Sequence, residues 1–268
     1  MKKRRLIPIL LLRNGWLVQS KQFRRWQNLG NPITAVKRLS EWASDELIYI
    51  DISREDNYDL RRDDLGNPNR RSIFEIIEDV SKVAFMPITV GGRIRTLGDI
   101  EARLARGADK VCINSMALEC PAFVREAALE FGSQCLVISI DYKKIGDQNR
   151  VMSKWGTIDT NYAPSEWARR VEDLGAGEIL INSIDRDGMR SGLDLDVARQ
   201  VVDAVCLPVI ACGGVGEWSH FADALRQTGV DAVAAANVFQ YTDQSVYRAK
   251  LYLTECNLNV RPADLFTI

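Results

Sequence analysis

The chain has 268 residues, 46% of them hydrophobic and 26% charged, a composition ordinary for globular proteins with ample core. Its formal net charge of -1 gives no electrostatic footprint for nucleic acid or an anionic membrane, and no run reaches the roughly 18 apolar residues of a membrane span. The first residues, Met1-Lys2-Lys3-Arg4-Arg5, have the character of a signal-peptide n-region. However, the apolar run from Leu6 to Leu12 is short and lacks a small-residue cleavage site, so a buried strand is expected there.

Short β-branched runs then alternate with amphipathic segments along the chain. Strands are expected near 5–11, 46–52, 87–91, 109–114, 135–141, 177–183, 207–212 and 230–235, and helices near 32–44, 72–83, 97–106, 121–131, 164–174, 194–204, 219–228 and 243–254. Eight strand–helix units with mostly apolar strands predict an α/β fold, a (βα)8 TIM barrel spanning 1–268 as one domain; a doubly wound open sheet is the alternative. An internal repeat supports closure. Gly91-Gly92 and Gly107-x-Asp109-x-Val111 reappear as Gly213-Gly214 and Gly229-x-Asp231-x-Val233. Ile52-Ser53-Arg54-Glu55 likewise matches Ile184-Asp185-Arg186-Asp187. Two half-barrels of about 1–134 and 135–268 are the reading, neither of them a separate domain, since each alone would leave open strand edges.

Two segments are expected to be long loops at the carboxyl ends of strands, where barrel sites form: 12–31 and 53–71. The second is dense in charge, including Arg54, Glu55, Asp56, Asp59, Arg61, Arg62, Asp63 and Asp64. The Gly-Gly pairs let backbone amides approach a ligand. Each is followed one strand later by a small polar group at a helix start, Asn114-Ser115 and Ala236-Asn237. The repeat therefore predicts two anion sites across the mouth, suited to a ligand with two phosphates. Asp141 ends the fifth strand as a candidate proton-transfer group; the matching residue of the first strand is Leu11, which cannot move a proton. Asp51 and Asp185-Arg186-Asp187-Gly188 either orient a ligand or build local turns. Arg5, Glu46, Lys110 and Glu178 open their strands and should meet at the barrel bottom, as a stabilising cluster or as a salt-bridged gate.

Little else offers chemistry. The six cysteines contain no CxxC pair, and Cys112, Cys135 and Cys212 lie in apolar runs, so neither disulfides nor a metal site is expected and a reducing cytoplasm suits the pattern. The single histidine, His220, reads as a surface helix residue. No cofactor is called for.

Across nearly the whole chain, the motifs Thr89-Val90-Gly91-Gly92, Gly107-Ala108-Asp109-Lys110-Val111, Phe131-Gly132-Ser133-Gln134, Gly175-Ala176-Gly177-Glu178-Ile179-Leu180 and Ser183-Ile184-Asp185-Arg186-Asp187-Gly188 resemble the cyclase subunit of imidazole glycerol phosphate synthase. That resemblance implies a barrel of two half-barrel repeats. A glutaminase subunit docks on its bottom as a heterodimer, and ammonia crosses the barrel to a ribonucleotide with two phosphates. It also implies that Arg5, Glu46, Lys110 and Glu178 form the ammonia gate, that Asp109 meets the glutaminase, and that Asp141 is catalytic. Asn114, Ser115, Asp187, Gly188, Gly214, Ala236 and Asn237 match its phosphate positions, with Gly92 and Gly213 in the adjoining loops.

The chain departs from the family pattern at four places. Leu11 stands where the second catalytic aspartate belongs, Gln19 where a first-loop lysine belongs (Lys21 is near), and Arg93 where the first phosphate loop has a third glycine. The loop after strand two is also longer. Loss of a general acid–base group typically costs about 10²–10⁴-fold in rate. The form Pro8-Ile9-Leu10-Leu11-Leu12 resembles a divergent branch tied to surface polysaccharide (O-antigen) synthesis. There the pair supplies ammonia to a sugar amidotransferase that turns an acetamido into an acetamidino group, and the ligand is a phosphorylated small molecule or nucleotide-sugar. A histidine-pathway cyclase and a non-catalytic scaffold that activates the glutaminase are the alternatives.

Overall fold

The computed structural model describes residues 3–263 except 56, 62 and 65, together with residue 265. Asp56 and Arg62 of the charged loop and Met1-Lys2 of the start thus lie outside the described residues, and no side chain is described for Asp63 or Asp64. Eight strands alternate with helices: β1 (Arg5–Arg13), α1 (Pro32–Glu41), β2 (Leu47–Asp51), α2 (Ile73–Ser81), β3 (Ile88–Gly91), α3 (Leu97–Leu104), β4 (Lys110–Ile113), α4 (Ala122–Phe131), β5 (Leu136–Ile145), α5 (Pro164–Asp173), β6 (Glu178–Ser183), α6 (Leu195–Val202), β7 (Val209–Cys212), α7 (Trp218–Gln227), β8 (Ala232–Ala235) and α8 (Ser245–Glu255). Each strand pairs in parallel with the next, and β8 pairs with β1. The sheet is closed, a TIM barrel rather than an open doubly wound sheet.

Period-two alternation sorts the core into two layers. Leu6, Leu10 and Leu12 of β1 face the helices, with Val90, Val111 and Ile138 among their counterparts. Ile7, Ile9, Ile48, Cys112, Val137, Leu180, Ile210, Ala232 and Ala234 fill the barrel interior. Helix starts follow local chemistry: Asn31 caps α1 ahead of Pro32, Asp194 caps α6, and Thr96 with Asp99 forms a capping box on α3.

Two departures from the elements expected of the sequence shape the mouth. Segment 12–31 is not a loop. Trp16–Lys21 and Arg25–Gly30 form an antiparallel hairpin that continues β1. Its turn uses Gln22 and Phe23, both at positive φ. The fifth strand runs on to Ile145 and folds back as Gln148–Ser153, paired with Ile158–Asp159.

At the bottom, three aspartates each accept the backbone N–H at or next to the start of a neighbouring strand: Asp45 from Leu6 (2.8 Å), Asp109 from Ile88 (2.7 Å) and Asp231 from Val209 (3.3 Å). Lys250 on α8 is wholly buried, and its ammonium donates to the Asp45 carboxylate and the Ala43 carbonyl, both at 2.6 Å. This ties the last helix to the start of β2. No described helix is long and apolar enough to cross a membrane, and all six cysteines are free.

Candidate functional site

Alternation along the strands puts Arg5, Glu46, Lys110 and Glu178 on the inner side of the barrel bottom, and their side chains close a ring. Arg5 donates to Glu46 at 2.6 Å and to Glu178 at 2.5 Å; Lys110 donates to Glu46 at 3.2 Å and to Glu178 at 2.9 Å. Each cation bridges both carboxylates. Burial works against both positive charges, yet the facing carboxylates outweigh it and hold Arg5 and Lys110 above their ordinary pKa. Above the ring lie the apolar layers of Ile7, Ile9 and Ile48. The lower opening is therefore closed by ion pairs, not by an apolar plug.

At the other end, β5 turns Val137, Ser139 and Asp141 inward. The Asp141 carboxylate accepts hydrogen bonds from Asn182 (3.1 Å), Asn114 (3.2 Å) and Ser139 (3.4 Å). Burial pushes it up to about 6 against the lowering pull of Asn182 and Ser139, and the Asp187 charge adds to the rise. A carboxyl poised there can take and return a proton near neutral pH. Asn182 was not singled out in the sequence, although it sits on the same inward parity as Glu178 and Leu180. Leu11 takes part in no such network: it packs on the interior cluster together with Ile50, Cys212 and Ala236.

Asp51 is placed differently from expectation. Counting in twos from Glu46 and Ile48 puts it on the helix side, where it is buried and takes hydrogen bonds from the Ser53 amide (2.9 Å), the Ser53 hydroxyl (2.5 Å) and the Tyr58 hydroxyl (2.8 Å). It anchors the long loop and does not reach the mouth. Asp109 is exposed, as a partner contact would require, but it also carries the strand-start hydrogen bond described above. His220 is half-buried, not on the surface, and its Nδ1 accepts the Gly216 amide at 3.2 Å.

The two expected anion cradles sit at matching places. Gly92 presses against the backbone of Asp51 at the end of β2, and Gly213 against that of Ser183 at the end of β6; a Cβ at either would lie within 2.1 and 2.7 Å of a carbonyl oxygen. Packing alone therefore demands both glycines. In the first-half cradle Arg93 adopts φ 56° and hydrogen-bonds the Glu55 carbonyl. There too, Ser115 opens the short helix Ser115–Glu119, its hydroxyl accepting the Lys154 amide at 3.2 Å.

The second-half cradle is covered by the hairpin. Ser20 donates to Asp187 at 2.6 Å, Asn237 donates to the Ser20 carbonyl at 2.8 Å, and the Gln22 amide donates to the Asp187 carbonyl at 3.0 Å. Gly188 leaves just enough room for the Ser20 backbone. Burial pushes the Asp187 carboxyl upward against the hydrogen bonds from Ser20, Phe23 and Gln22. Ala236 opens the 3-10 turn Asn237–Gln240, and Gly214 accepts the Gly192 amide at 2.9 Å. Gln19 points away from the mouth, bonded to Gln27 and Tyr241, and Lys21 is exposed.

The arrangement is thus a closed parallel barrel with a ring of alternating charge below, one inward carboxyl above, and paired glycine-rich turns in each half. A family model described as histidine biosynthesis protein matches residues 5–245. With that match across most of its length, the chain belongs to the histidine biosynthesis protein family of (βα)8-barrel enzymes.

Proposed function

We propose that this chain is the ammonia-receiving barrel of a two-protein amidating system, in which a docked glutaminase delivers nitrogen through the Arg5–Glu46–Lys110–Glu178 ring. The nitrogen serves conversion of an acetamido to an acetamidino group on a surface-polysaccharide sugar. The apolar interior favours neutral ammonia over ammonium, because an unpaired charge pays a heavy desolvation cost there. Replacing a carbonyl oxygen by nitrogen also requires that oxygen to leave, and activating it falls to a separate sugar amidotransferase working with the pair. The observation that carries this reading is the pairing of a complete lower ring with Leu11, packed on the apolar interior, at the position that matches Asp141 in the other half. Delivery is provided for, whereas the two-carboxylate ring closure of a histidine-pathway cyclase is not.

Two measurements test it. The chain is expected to bind a glutaminase partner and to stimulate its glutamine hydrolysis. It is also expected not to rescue a strain lacking the histidine-pathway cyclase, and rescue would overturn the reading. One observation favours that cyclase as the second reading: Asp141, with a carboxyl pushed up to about 6, can both accept and return a proton by itself.

A further inference from the structure

Four side chains make up the Asp141 network: Asp141 and Ser139 on β5, Asn182 on β6 and Asn114 just past β4. The repeat that relates Gly91-Gly92 to Gly213-Gly214 also relates Asn114 to Ala236, and the one that relates Ile52 to Ile184 relates Ile50 to Asn182. Laying β1 on β5 puts Ile9 at Ser139 and Leu11 at Asp141. Strand register agrees, since Leu11 pairs with Ile50 as Asp141 pairs with Asn182. Ala236 repeats the backbone of Asn114, with φ -101° and ψ -72° against -123° and -84°. Every member of the polar network thus has an apolar counterpart, and all four counterparts pack in the interior cluster. Leu11 is one part of a rebuilt wall.

The two walls border one floor. β1 and β5 lie four strands apart in either direction round the closed sheet. Leu11, Ile50 and Ala236 are half-buried, as are Asp141, Asn114 and Asn182, whereas Ile7, Ile48, Val137 and Leu180 beneath them are buried. The floor therefore keeps surface on both walls for a ligand. A group polar on every side would strand hydrogen-bonding atoms against Leu11 and Ile50, and a wholly apolar one would desolvate Asp141 without return. Asn182, Asn114 and Ser139 fill three of the roughly four acceptor positions of the Asp141 carboxylate, which leaves room for one donor. A trans secondary amide has that form. It is planar, with its single N–H and its acyl carbon on one edge and its carbonyl oxygen on the other.

We propose that the floor of this barrel mouth is a subsite for an acetamido group, its N–H donating to Asp141 and its methyl lying against Leu11, Ile50 and Ala236. The carbonyl oxygen then faces outward, where a partner enzyme can activate it. This deepens the amidating reading and rests on it for the fate of the bound group. Binding itself requires neither ammonia nor a glutaminase, so the two fail separately.

Saturation-transfer NMR on the full chain tests the proposal, using N-acetylglucosamine, N-formylglucosamine and glucose as probes. The acetyl methyl should receive the strongest transfer, and the acetyl sugar should bind about threefold or more tightly than the formyl sugar, the scale of one buried methyl group. Leu11→Asn and Ala236→Asn each restore the residue type of the polar wall, the second on a backbone that already suits asparagine. Both should erase the acetyl preference, with circular dichroism unchanged in Ala236→Asn. Asp141→Asn should weaken both acyl sugars alike and keep the preference. The proposal is overturned by absence of transfer to either acyl sugar at about 10 mM, by equal binding of the two, or by a preference that survives in both wall variants. An acetyl preference in a chain that fails to stimulate a glutaminase would uphold this subsite while removing the delivery reading.

Discussion

Asp141 works as a candidate base in surroundings that discourage its charge. Its folded pKa of about 6 stands above the ordinary 3.8, so between about pH 4 and 6 the folded chain keeps a proton that the unfolded chain releases. Stability therefore falls as pH rises through that window and stays lower above it, by at most about 3 kcal/mol. Asp141→Asn removes the penalty but forfeits an acceptor for one of two asparagine donors. The expected outcome is a melting temperature raised by about 2–4 °C at pH 8 and less at pH 4.5, followed by calorimetry. The same variant should lose about 10²-fold or more of amidated product while leaving stimulation of the glutaminase intact; a mere scaffold would lose neither. At the matching position the surroundings have turned apolar. Leu11→Asp should cost about 1–3 kcal/mol in urea unfolding and create no cyclase activity. Residue parity, not residue type, separated good from poor reading of the sequence. Asp51 ends its strand and Asp141 closes the apolar part of a longer one, but only Asp141 shares the inward register, and counting from Glu46 would have shown that Asp51 does not.

Among the elements, the eight strands and eight helices were legible because apolar periodicity and capping residues mark them, whereas the hairpin was not. Its turn, Gln22-Phe23, forces two side-chain-bearing residues into positive φ without the Asn-Gly or Asp-Gly signature that advertises such turns. The fold-back after β5 did carry a signal, Gly146-Asp147, between two runs that pair as Ile145 with Gln148. The hairpin is held to the second half by Ser20, Gln22 and Asn237. Removing two of those bonds by Ser20→Ala with Asn237→Ala should free it. Trypsin offers a direct readout, since Lys21, Arg24 and Arg25 are exposed at the tip. Cleavage there should accelerate about fivefold or more, with circular dichroism unchanged, corresponding to a loss of about 1 kcal/mol or more in local opening energy. Unchanged cleavage would mean that packing of Trp16 and Val18, not the latch, holds the hairpin down.

For the whole molecule, the ring at the barrel bottom joins stability to the proposed entry of ammonia. Arg5→Ala leaves Glu46 and Glu178, both largely buried, with Lys110 as their one remaining ring cation. We expect a loss of about 3 kcal/mol in urea unfolding, toward the low end for breaking a buried pair because Arg5 keeps some solvent contact. Product formed from glutamine should fall further than product formed from added ammonium salt, because only the first depends on the lower opening. Equal losses would assign the ring to stability alone.

The buried contact between Lys250 and Asp45 joins positions 205 residues apart. A ribosome adding ~5–20 residues per second needs on the order of 10–40 s to make that stretch. Throughout that interval the nascent first strands lack the helix that completes their surroundings, and their free edges can pair with other chains. We therefore expect production of this barrel in a host cell to draw on chaperones during translation, and slowing synthesis late in the message to lower the soluble yield more than slowing it early.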